Sequence, residues 1–250
     1  MILYGALLAA TLAGSEALAG KVEVTAKVVS DGSRVGVLFA IPKGKHIYWS
    51  NPGDSGLPTR VVFRLPKGCQ PGPLHWPVPE KFVQPGDITG YGYEGEVLLW
   101  ADAGCPLTPG SPIAATVSWL ECDNRECVAG QAGLEGERPL AVIPNDSDRW
   151  LSRLPESGAT AKLGNGPSHW ELAIPWKGRR GSVRWVASGD PRAVVTDVEV
   201  IAGDPVRIRC TVAAAPGERF PAGGIDVLVA YKSLWSEMKG ILVKVPGSDR

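Results

Sequence analysis

The sequence lacks an excess of either charge. Its 26 Lys and Arg balance 26 Asp and Glu over 250 residues, and no Lys/Arg-rich run occurs, so the electrostatic footprint of a nucleic-acid binder is missing. Methionine is nearly absent, with two residues including the first; no Met-rich site for Cu(I) can be built from them. Histidine is scarce, and His46, His75 and His169 are scattered among strand and loop aromatics. With no spaced His pair and no second close Cys pair, a structural zinc site lacks its four ligands. A helical period is almost absent, and no segment after the first twenty residues is long and apolar enough to cross a bilayer. No cofactor motif appears.

The opening "MILYGALLAATLAGSEALAG" carries no Lys or Arg ahead of its apolar run. That run is short for a membrane span and ends in Ala17-Leu18-Ala19, a small-x-small pattern. It reads as a signal peptide over residues 1–19, cut after Ala19, with a buried first strand as the alternative. An exported chain meets an oxidising compartment, where disulfides persist.

What is present is alternation. In "KVEVTAKVV", Val22, Val24 and Ala26 share one face while Glu23, Thr25 and Lys27 share the other. "SRVGVLFAIP", "TRVVFRLP", "GEVLLWADA", "IAATVSWLEC" and "RPLAVIP" follow. After a polar stretch with one short helix expected near 150–154 come "HWELAIPW", "GSVRWVAS", "AVVTDVEVIA", "PVRIRCTVAA", "GIDVLVAYK" and "GILVKVP". The 31 glycines and 22 prolines are spread between these runs rather than clustered. Many short strands with turn signals between them predict an all-β protein of two tandem β-sandwiches. The divisions are 20–145 and 146–250, with about six strands in each; one large sandwich is the alternative. Residues 43–90 are the least strand-like, and so much Pro and Gly predicts long ordered loops there.

Five cysteines leave at least one without an intrachain partner. Cys210 alternates with Val206, Ile208 and Val212, which predicts a buried, inert thiol. Cys69 and Cys105 lie in Gly/Pro-rich loops and either form a structural bridge or stand as incidental thiols. Cys122 and Cys127, in "WLECDNRECVAG" (119–130), differ from these. Cys122 ends a strand and Cys127 begins the return arm. A disulfide here closes so small a loop that it constrains the unfolded chain little, which makes a staple a weak explanation. The spacing and the absence of a βαβ pattern exclude a thioredoxin motif. Glu121, Asp123 and Glu126 surround the pair against Arg125 alone, which disfavours the thiolate. Such a pair exchanges well only with a partner that supplies a more acidic thiol or a better leaving group.

"HIYWSNPGDSGLPT", "GPLHWPVPE", "GYGYEGEVLL" and "WLECDNRECVAG" occur in that order. Together they resemble the periplasmic N-terminal region of DsbD/ScsB-type thiol:disulfide interchange proteins. The likeness is nearest to the ScsB-like branch, which is linked to copper tolerance. It covers residues 20–145 closely and the second strand set more loosely. The resemblance implies an immunoglobulin-like sandwich in the periplasm whose redox pair, here Cys122 and Cys127, passes electrons between a thiol donor and periplasmic thioredoxin-fold proteins. It implies that Cys127 forms the mixed disulfide and Cys122 resolves it. It also implies an aromatic cap loop, matched by "GYGYEGE", with Tyr91 or Tyr93 as the cap; the plainer reading is that these tyrosines pack beside a glycine-rich turn. DsbD and ScsB continue into a membrane domain and a thioredoxin-like domain that these 250 residues do not contain. The expected donor is therefore a separate membrane protein, or the chain is part of a split or truncated gene product. DsbD spaces its pair differently, and its acidic residues before the cap are not matched by "DITG". Two other readings stand beside the relay: a non-catalytic protein-binding module with a structural hairpin disulfide, and Cu(I) capture by the thiolates.

Overall fold

The computed structural model describes residues 22–136, 150–166, 168–174, 182–201, 203, 205–232 and 238–247. The signal peptide expected over 1–19, the strand expected in "RPLAVIP" and most of the polar stretch before Trp150 lie outside the described residues. Among the described residues nearly all regular secondary structure is strand, as the alternation predicts.

The first half is an immunoglobulin-like sandwich. One sheet holds β1 (Thr25–Ser30), β2 (Arg34–Ala40) and β7 (Glu96–Asp102). The other runs β4 (Arg60–Arg64), β8 (Ala114–Cys122), β3 (His46–Gly53), β6 (Ile88–Tyr93) and β5 (Glu80–Gln84), with β9 (Cys127–Glu135) on the free edge of β8. Period-two alternation places each side chain. Ala115, Val117 and Trp119 of β8 face inward, with Ile47 and Trp49 of β3, against Val35, Val37 and Phe39 of β2.

Residues 43–90, expected as mostly loop apart from "TRVVFRLP", contain three strands and half of a fourth. "HIYWSNPG" is β3, with an irregular register against β6 between Tyr48 and Gly53. Its Pro52 falls within that break, and Gly53 resumes the pairing opposite Gly90. The true loop is 65–79. It lies over the outer side of β7, where His75 stacks on Trp100 at 4.0 Å between ring centroids and its N–H donates to the Trp100 carbonyl at 2.7 Å.

The second half begins after a single turn in which the Arg153 N–H donates to the Trp150 carbonyl. Its strands are β10 (Glu156–Leu163), β11 (His169–Ile174), β12 (Val183–Ser188), β13 (Ala193–Ile201), β14 (Val206–Ala214), β15 (Ile225–Lys232) and β16 (Met238–Val245). They hydrogen-bond as one seven-stranded sheet in the order β12-β15-β16-β10-β11-β14-β13, rather than as two separate sheets. The end strands β12 and β13 meet, so the sheet curls around a core of its own.

The halves share apolar surface. On β15, Val227 and Val229 face the second core, while Leu228 and Ala230 belong to the first. On β12, Trp185 and Ala187 turn toward the first core and Val186 toward the second. A sheet covered on both faces needs near-continuous apolar strands, and "VLVA" in β15 supplies one. Tyr91 bridges the seam between Trp49 and Trp185, and Asn51 donates through Nδ2 to the Ser188 carbonyl at 2.8 Å.

Candidate redox site

Cys122 and Cys127 are the last pair of the β8–β9 ladder. They stand directly opposite each other and are disulfide-bonded, with Cα atoms 4.1 Å apart. Directly opposed residues of an antiparallel pair are already at this kind of spacing, so the ladder presents the two sulfurs to each other. The turn between them is closed by its own residues. The Asp123 carboxylate accepts from the N–H groups of Arg125 (2.7 Å) and Glu126 (3.0 Å), and the Asp123 N–H donates to the Glu126 carbonyl (3.0 Å). Those backbone donors hold the Asp123 carboxyl below its usual range.

The two sulfur-bearing residues are unequal. Cys122 is 0 % exposed and Cys127 is exposed. Cys122 lies on the outer face of its sheet, with His46 directly opposite on β3. The Tyr48 hydroxyl donates to Cys122 Sγ at 3.5 Å and itself accepts from Gln84 Nε2 at 3.3 Å. Phe82 of β5 covers both flanking rings, with centroids 4.2 Å from His46 and 5.9 Å from Tyr48. Gly90 makes room for that ring: a Cβ there would run into Phe82.

This parity decides the place of the expected cap residues. Tyr93 pairs with inward-facing Ile47, is buried, and donates through its hydroxyl to the Pro77 carbonyl at 2.7 Å. Tyr91 shares its face and sits in the seam between the halves, where burial pushes its phenol up to about 12. Both lie on the sheet face opposite Cys122. In "GYGYE" the glycines, not the tyrosines, face the disulfide side.

Of the acidic residues expected around the pair, Glu121 turns away from it and is paired. Glu121 points inward, is buried, and accepts from Lys45 Nζ (2.8 Å), Glu23 N (3.0 Å) and Val24 N (2.8 Å). Burial pushes its carboxyl up, but the Lys45 bond and the two backbone donors outweigh this and hold it below the ordinary value. Lys45, held up mainly by that same bond, escaped the sequence reading, as did His46, Tyr48 and Phe82 as neighbours of the pair. The available signal was the shared parity of His46 and Tyr48 within "KHIYW".

Cys69 and Cys105 are also disulfide-bonded, at a Cα separation of 5.2 Å, in loops at the margin of the first core. Cys210 is buried in the second core as a free thiol, which burial pushes up to about 11. Trp119 packs edge-on against Phe39 at 5.8 Å. Among the described residues no helix is long and apolar enough to cross a membrane.

This geometry has counterparts among known proteins. The chain is similar over 90 % of its length, and over 92 % of the other chain, to the N-terminal periplasmic domain of ScsB from Proteus mirabilis, at 15 % identity and a TM-score of 0.56. That likeness is one of fold, and it extends over both halves. A second likeness, to the reduced N-terminal domain of DsbD from Neisseria meningitidis, covers 46 % of this chain and 90 % of that one at 13 % identity and a TM-score of 0.32. No curated protein matches the sequence. Residues 15–137, which carry both disulfides, match the family described as thiol:disulfide interchange protein DsbD, N-terminal.

Proposed function

We propose that the protein is an exported thiol–disulfide relay in which Cys127 exchanges with partners and Cys122 resolves. The observation that carries this reading is the unequal burial of one bonded pair: Cys122 is enclosed and Cys127 is exposed. In-line attack on a disulfide needs access to one sulfur, and only Cys127 offers it. A partner thiolate attacks Cys127 Sγ, the Cys122–Cys127 bond breaks, and its electron pair leaves on Cys122. A second partner thiol then attacks the partner sulfur of the mixed disulfide and releases Cys127. The partner becomes a disulfide, and this pair gains two electrons and two protons. The reverse sequence passes them on.

The reading includes periplasmic thioredoxin-fold partners, a separate membrane electron donor, export by the 1–19 signal peptide, and a redox domain at 20–145 with a second domain at 146–250. Phe82, over His46 and Tyr48, takes the cap role expected of Tyr91 or Tyr93. In the deciding experiment the mature protein is equilibrated in glutathione or dithiothreitol buffers and its alkylated cysteines are counted by mass. Cys122 and Cys127 are expected to change state together at accessible potentials, whereas a potential below about −300 mV marks a structural bond. Cys122→Ser is expected to accumulate a mixed disulfide through Cys127, and Cys127→Ser to accumulate none.

One observation favours the binding-module reading. The "HIYWSNPG" and "GPLHWPVP" motifs converge, through Trp49, His75 and Trp76, on a cavity of about 400 Å³ also lined by Asp190, Asp226 and Lys244. A disulfide that resists reduction in the same titration selects that alternative.

A further inference from the structure

His46 stands directly opposite Cys122 in the β3–β8 pairing, and side chains so opposed hold their Cβ atoms about 4.5–5.5 Å apart. Its ring is buried, and its Nε2 has no hydrogen-bond partner among the described residues. Phe82 lies against the ring, and Tyr48 stands edge-on at 5.1 Å between centroids. A buried polar atom left unpaired is costly. With the sulfurs bonded to each other there is no S–H to satisfy it; reduction creates one on Cys122.

We infer that His46 is the proton acceptor for the Cys122 thiol, an assignment that rests on the relay reading. The groups facing it are few. Cys122 and Cys127 approach from β8 and β9, Tyr48 from its own strand, and Phe82 from β5. Glu80, two residues from Phe82, shares this face but is exposed. β6 contributes Ile88, Gly90 and Gly92 to this face, none of them titratable. Lys45 and Glu121 point to the opposite face and pair with each other. Burial therefore favours the neutral imidazole, a base, while the Asp123 carboxylate in the turn favours the imidazolium once it forms.

The step balances without another reagent. With Cys127 in a mixed disulfide, His46 takes the proton from Cys122 Sγ. The thiolate attacks Cys127 Sγ, and the Cys122–Cys127 bond forms as the Cys127–partner bond breaks. The electron pair leaves on the partner sulfur, which then takes the proton from His46 directly or through water. The cysteine pair is oxidised and the partner reduced. In the opposite direction, the imidazolium protonates Cys122 as it leaves.

The reduced protein is mixed with 5,5′-dithiobis(2-nitrobenzoate) and the released thiolate is followed by stopped flow. The first phase reports attack by Cys127 and the second reports ring closure by Cys122. The second phase is expected to fall away below an inflection at or under the ordinary His value of about 6.5. His46→Gln is expected to abolish that inflection and to slow the second phase at pH 7 by about tenfold or more, leaving the first phase nearly unchanged. A second phase with unaltered rate and pH profile in His46→Gln overturns the proposal alone. A wild-type protein with no second phase at any pH overturns the relay and the proposal together. Should His46→Gln fail to fold, the His46 ring titration followed by NMR in the reduced wild type decides. It is expected to shift in Cys122→Ala, and an unmoved titration overturns the assignment.

Discussion

The two disulfides of the first half are built in opposite ways. Cys69–Cys105 spans 36 residues and Cys122–Cys127 spans five. On the chain-entropy account these constrain the unfolded chain by about 4 and about 2 kcal/mol respectively. The long bridge ties the 65–79 loop to the segment after β7, where no ladder holds the chain. The short one joins residues that the β8–β9 ladder already sets opposite each other. The contrast teaches that of the two bonds the fold depends less on Cys122–Cys127, which is the one proposed above to open and close. Its surroundings are unequal: Cys127 is exposed, whereas Cys122 is buried with the Tyr48 hydroxyl and the His46 ring beside it.

The largest expected effect breaks the comparison outright if it fails. Cys127→Ser should eliminate two-electron cycling, while the Cys69→Ala/Cys105→Ala double variant should retain it, as read by alkylation and mass. Next comes stability in urea: the Cys69/Cys105 double alanine variant should lose about 3–4 kcal/mol and the Cys122/Cys127 variant about 2 or less. Equal losses would dissolve the distinction. Phe82→Ala should then speed reduction of Cys122–Cys127 by dithiothreitol several-fold, since access limits exchange, and leave Cys69–Cys105 unaffected.

A smaller effect concerns pH. The folded Glu121 carboxyl is held below its unfolded value, so its contribution is present above about pH 4.3 and fades as pH falls through the folded value. Glu121→Gln should lower stability near neutrality and flatten the acid limb of a stability–pH curve. The smallest effect is none: Cys210, its thiol pushed up to about 11, should resist alkylation in the native protein, and Cys210→Ala should not move the redox titration.

Much of the fold was legible because alternation reports burial directly. β8 and β14 read from sequence as they stand in the structure, and so does the inward face of Cys210. β3 was hidden because Pro52 and Gly53 suggested a loop, although Pro52 falls in a break of register and Gly53 pairs with Gly90. Cys122 and Cys127 were legible as a close pair across a hairpin turn, and they are disulfide-bonded. Their environment was not legible, because it is assembled across strands. Lys45 reaches Glu121, and Phe82 reaches His46, through pairings that no local pattern encodes. The tyrosines expected as caps stand on the face opposite Cys122, since a shift of one residue reverses every side chain of a strand.

The strands buried on both faces have a consequence for how such a chain can be divided. Trp185, Ala187, Leu228 and Ala230 serve the first core while standing on strands of the second half. A fragment ending near residue 145 would leave Trp49 and Tyr91 bare, and the complementary fragment would expose Trp185 and Leu228. Contiguous apolar patches of that kind drive association. Each half is therefore the other's solubilising cover, and a lineage that trims or exchanges one of them must supply a new cover for the half it keeps.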